Sequence, residues 1–109
     1  MGRYNEFIAP VKCPACGGAD DVMFQALIGV LQLDEFRVGD GVLHRPSTMR
    51  RPQVGPTVTL THDSFWARGL GECPRCHVDL WAKVLVQEGR FVGVELTEEP
   101  ADMYDWGYL

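Results

Sequence analysis

Four cysteines carry the clearest chemistry in the chain. They fall as two C-x-x-C pairs, Cys13 with Cys16 and Cys73 with Cys76, each with a proline directly after the first cysteine (Pro14 and Pro74). Two residues between ligands let both sulfurs of a turn point at one ion. Two such turns supply four thiolates, which is the full tetrahedral set that a structural zinc site takes. Proline restricts the backbone inside each turn, and Gly17 offers a residue that adopts positive φ just after Cys16. The expectation is one structural Zn2+ per chain, held by Cys13, Cys16, Cys73 and Cys76. Disulfides are the competing use of four cysteines. The paired spacing and an amino-terminal stretch without an apolar leader favour thiolates in a reducing compartment, hence a cytoplasmic protein.

Other chemistry-bearing residues rank lower. Four cysteines fill a zinc coordination sphere, leaving no open position for catalysis. His77, next to Cys76, is expected beside the metal and not on it, and His44 and His62 read as surface residues. His62-Asp63-Ser64 contains the residue types of a hydrolytic triad, but consecutive residues do not generally reach that geometry. Asp63 or Thr61 capping a helical turn is the expectation there. A small enzyme is therefore the weakest reading.

The two knuckles resemble the zinc-ribbon class of small metal domains, in which each knuckle sits in a β-hairpin turn. The resemblance rests on residues 13–17, on residues 73–76 and on the hairpin that follows them. The sequence departs from the plain ribbon in the 56 residues separating Cys16 from Cys73, and in His77, where a knuckle often has glycine. The long insertion between the knuckles suggests that the ribbon is one end of a larger β structure. Rubredoxins, whose iron is held by two C-P-x-C turns, are similar too, but their spacing differs.

The elements that must position the cysteines read as β. Twelve glycines and seven prolines in 109 residues favour turns and short strands over helices. Residues 1–12 read as a lead-in from which Phe7, Ile8 and Val11 dock on the core. Strand patterns follow at 22–28, 31–38 (with an irregularity at Asp34-Glu35), 57–61, 78–86 and 90–97. Residues 44–56, with three prolines, read as a surface loop. The last two strands form a hairpin. A three-residue loop, Gln87-Glu88-Gly89, sets Val86 opposite Arg90, Val84 opposite Val92, Ala82 opposite Val94 and Leu80 opposite Leu96, giving one apolar face. It leaves Trp81, Leu85 and Phe91 together on the other face, where something must cover them. The acidic, aromatic tail 100–109, with Trp106, is expected to dock on its own domain or on a sister subunit, because disordered tails rarely concentrate so many large apolar side chains.

The fold class expected is mainly β: a zinc-ribbon end joined to a small antiparallel sheet or partly open barrel, as a single domain over 1–109. The formal net charge of -5 argues against a general nucleic-acid binder. The local exception is Arg45, Arg50 and Arg51, a candidate contact for an anion or an acidic partner. No run of about 20 apolar residues suggests a bilayer span. The function expected is a structural-zinc protein acting as a small protein-interaction module, with Trp81, Leu85, Phe91 and Trp106 as candidate interface and another protein or self-association as partner. The alternative is a nucleic-acid-associated accessory zinc ribbon.

Overall fold

A computed structural model of the chain describes residues 4–28, 34–42, 62–102 and 105–109, together with a short strand pair at 48–49 and 58–59. Its strands are β1 (Asn5–Lys12), β2 (Ala19–Ala26), β3 (Glu35–Arg37), β4 (Thr48–Met49), β5 (Val58–Thr59), β6 (Phe65–Glu72), β7 (Asp79–Gln87), β8 (Arg90–Thr97) and β9 (Trp106–Tyr108). No helix occurs among the described residues. The sheet runs β3-β1-β2-β6-β7-β8, with β9 added on β6, while β4 and β5 pair separately. After β3 the chain crosses to the far edge: the Phe91 N–H donates to the Asp40 carbonyl, the Gly39 N–H to the Phe91 carbonyl, and the Val42 N–H to the Gly89 carbonyl. These bonds curl the sheet into a partly open half-barrel around Phe7, Phe24, Phe65, Phe91 and Ile28. The expected fold class is the one observed.

Two hairpins dominate, and they are built alike. β1 pairs with β2 from Asn5↔Ala26 to Lys12↔Ala19, and β6 pairs with β7 from Phe65↔Val86 to Glu72↔Asp79. Asn5 corresponds to Phe65, Cys13 to Cys73, Cys16 to Cys76 and Ala26 to Val86, a constant offset of 60 residues. In both first strands alternate residues turn inward: Asn5, Phe7 and Ala9 in β1, and Phe65, Ala67 and Gly69 in β6. Residues 5–12 are thus a full strand and not a lead-in. The inward asparagine and Pro10 disguise its period. Asn5 is 1% exposed, and its amide donates to the Ile28 carbonyl (2.8 Å) and accepts from the Asp34 N–H (3.0 Å), which satisfies a polar group inside the core. Pro10 is tolerated because β3 pairs with β1 only at Glu6–Ile8, leaving the edge at Pro10 without a ladder partner among the described strands.

The hairpin of β7 and β8 differs from the expected register. Its loop has two residues, Glu88 and Gly89, both at positive φ as a type I′ turn requires, and Gln87 faces Arg90. One step further Val86 faces Phe91, but Leu85 faces Gly93, so Val92 is an extra residue in a β-bulge. The bulge resets the phase. Val84 then faces Val94 and Ala82 faces Leu96, restoring the apolar face that an unbulged two-residue loop would lose. Phe91 moves to that inner face as a result. It is fully buried, edge-on to Phe7 at 5.2 Å, and is a core residue instead of an interface residue.

β6 shares one edge between two partners. β2 pairs with its second half (Gly69–Gly71) and β9 with its first (Phe65–Ala67). The tail therefore docks on its own sheet. Arg68 anchors it: Nε donates to Asp105 Oδ1 at 2.7 Å and Nη1 donates to Thr97 Oγ1 at 2.6 Å, with its side chain only 13% exposed. Gly107 lies flat against the Trp66 indole, where a Cβ would come within 2.9 Å of Nε1. Asp105→Ala strands a largely buried guanidinium without its carboxylate. It is expected to cost about 2 kcal/mol and to accelerate amide exchange at Trp106–Tyr108 ahead of the rest of the sheet. A denaturant midpoint equal to that of the parent chain would contradict this role.

Candidate metal centre

The tips of the two long hairpins meet, and the four cysteines sit on them. In the first knuckle the Cys13 N–H donates to the Gly18 carbonyl and the Gly17 N–H to the Cys13 carbonyl, at 2.9 and 2.8 Å. In the second, the Cys73 N–H donates to the Val78 carbonyl and the His77 N–H to the Cys73 carbonyl, at 3.0 and 2.9 Å. The turns are the same structure. Gly17 and His77 occupy equivalent places, at φ of 75° and 64°. His77 thus fills a position suited to glycine, and its Nδ1 sits 3.0 Å from Glu72 Oε1.

The four Sγ atoms lie within 4.8 Å of one another. Two sulfur pairs that join the hairpins are Cys13 to Cys76 at 3.7 Å and Cys16 to Cys73 at 3.8 Å. A tetrahedral zinc with Zn–S of about 2.3 Å has sulfur–sulfur edges of about 3.8 Å, so the donor set fits a single ion. Cys13 and Cys73, at the strand ends, are buried, whereas Cys16 and Cys76, at the turn tips, are exposed. The backbone N–H groups of Cys76 and Arg75 favour the Cys73 thiolate and push its pKa down to about 6. At Cys76 the Val78 N–H acts in the same sense, but partial desolvation at the meeting of the tips and the facing thiols of Cys13, Cys73 and Cys16 outweigh it, raising the pKa to about 11. Charge already placed on one sulfur thus opposes charge on its neighbour. A divalent cation removes that conflict.

One cross-tip contact escaped sequence reasoning. Arg75, between the second pair of cysteines, reaches the first knuckle: its Nε is 3.5 Å from Asp20 Oδ2, and its side chain lies over Gly18. The only sequence signal was opposite charge near the two knuckles. No protein-family model, curated protein or solved structure matches the chain.

The remaining candidates that are described lie apart from one another. Arg45, Arg50, Arg51 and His44 lie outside the described residues, as does most of 44–56. Arg68 is engaged with the tail and Arg75 with Asp20. His62 stacks edge-on to Tyr108 at 4.9 Å. The Ser64 hydroxyl accepts from the Glu88 N–H and the Asp63 carbonyl from the Gly89 N–H. Residues 62–64 therefore brace the β7–β8 turn, with neither a triad nor a helix cap among them. Trp81 and Leu85 are half-buried on the outer face, opposite Leu70 and Trp66 on β6. Trp106 packs partly buried against the core. No helix among the described residues is long and apolar enough to cross a membrane.

Proposed function

We propose that Cys13, Cys16, Cys73 and Cys76 hold one zinc ion with a structural task, and that the chain is a small protein-interaction module whose shape this ion fixes. The carrying observation is the closed set of four thiols at the meeting point of two hairpins far apart in sequence. Four sulfurs satisfy the ion without an open position, so the site staples and does not turn over substrate. The half-buried Trp81 and Leu85 on the outer face support the interaction part of the reading, as aromatic and aliphatic anchors are what interface centres use. Among the described residues, neither Arg68 nor Arg75 adds a free cation for the nucleic-acid alternative.

Metal analysis of the purified chain should return about one zinc per chain in four-sulfur coordination, with no visible absorbance. A thiolate-to-iron band would replace zinc with iron. In the native host, a co-purifying protein should be lost with Trp81→Ser combined with Leu85→Ser while zinc content is unchanged. A zinc-loaded chain that recovers no partner there overturns the interaction role and leaves the metal assignment standing.

A further inference from the structure

β2 and β6 pair only as far as Phe24↔Gly71, and from there towards the cysteines they diverge. The gap is an open groove of about 550 Å³ whose lining includes Cys73, Pro74 and His77 of the second knuckle. Its exposed apolar surface comes from Met23, Leu70 and Pro74, and its acidic groups are Asp21, Glu72 and Asp79; no lysine or arginine lines it. Glu72 holds His77, whereas the Asp21 and Asp79 carboxylates have no hydrogen-bond or ion-pair partner among the described residues. Cys73 belongs to the same lining. Four thiolates around a divalent ion keep a net charge of about -2, so the metal end of the groove adds to its negative field.

We infer that this groove receives a lysine or arginine side chain from an extended segment of a partner protein. The inference rests on the interaction-module reading and gives it a place and a chemistry. The volume lies in the range of sites for organic groups, about 300–1,000 Å³, well beyond the need of a bare cation. Lysine and arginine match both halves of the lining: the aliphatic stem lies along Met23 and Leu70, and the cationic head reaches the carboxylates. Backbone addition to the β2 edge is disfavoured there, because the Asp21 N–H is already taken by Asp20 Oδ1 at 2.9 Å. Recognition thus runs through side chains, with charge complementarity setting preference and salt weakening it.

The test uses the zinc-loaded full chain and a hexapeptide alternating lysine with valine, against its glutamate–valine counterpart. The lysine peptide should shift the amides of Met23, Leu70 and Gly71, and the glutamate peptide should not. Combining Asp21→Asn, Glu72→Gln and Asp79→Asn should weaken binding about tenfold or more. Combining Glu95→Gln, Glu98→Gln and Glu99→Gln removes the same formal charge away from the groove and should change it less than about twofold. Equal zinc content and cooperative melts in both variants establish that the fold is retained. Equal weakening by both triples, shifts centred elsewhere, or shifts of these amides by magnesium chloride with none by peptide would overturn the inference. If no peptide binds while the native partner is still retained, the groove assignment fails and the interaction role survives.

Discussion

Replacing Cys73 by serine is expected to abolish both zinc binding and cooperative unfolding. Structural zinc in small domains contributes apparent binding free energies of about 10–16 kcal/mol near neutral pH, as large as the whole stability of a typical domain, about 5–15 kcal/mol. Serine keeps nearly the same shape, so little of the loss can come from packing. Cys16→Ser separates the two causes. Cys73 is buried and Cys16 is exposed: a packing effect would spare the second variant, whereas loss of a ligand strikes both. Metal content and a denaturant melt on each variant decide the matter. Cys16→Ser protein that is metal-free yet melts like the parent would remove the zinc from its structural role.

The second large effect is expected at Gly71, away from the metal. A Cβ there would lie 2.7 Å from the backbone oxygen of Met23 and 3.0 Å from both Phe24 Cδ1 and Val22 Cγ1. The obstacle includes backbone, so no side-chain rotation relieves it, and β2 must move off β6 where the halves of the sheet join. Gly71→Ala should destabilise the chain by about 3 kcal/mol, at the upper end of overpacking effects. Gly41→Ala is the control: nothing lies within 4 Å of its Cβ position, and its cost should stay below about 0.5 kcal/mol. Equal midpoints for the two variants in urea would mean that β2 and β6 are not held this closely.

The cysteines were legible because their spacing is chemistry in itself: two residues between thiols has few other uses. The inner faces of β7 and β8 were legible too, since Ala82, Val84, Val94 and Leu96 announce themselves by period. Their register was not. A bulge shifts the alternation by one residue, and here Val92 hides the shift: it is apolar and in phase with Val94 and Leu96, yet it is the extra, exposed residue, and this is how Phe91 was assigned to the wrong side. The matching of the two hairpins was hidden for another reason. Phe7 corresponds to Ala67, Ala9 to Gly69 and Val22 to Ala82, so equivalent places differ in bulk even though their burial agrees. The sheet needs those differences: Phe24 of one hairpin lies against Gly69 and Gly71 of the other. Docking of the tail followed from its aromatics, but its anchor, Arg68 with Asp105, is a distant polar pair that no local pattern marks.

The likeness of the two hairpins bears on how the chain assembles in time. Each closes over only a short turn, the kind of local event that takes microseconds, and each then presents two thiols on its own. An ion caught by one tip makes the meeting with the other an intramolecular search, and the final closure buries what neither hairpin covers alone. With the ion in excess, however, both tips become loaded, and one ion must leave before the halves can join. Refolding is therefore expected to be fastest near one equivalent of zinc and slower on either side of it, which stopped-flow tryptophan fluorescence across a series of zinc ratios would check.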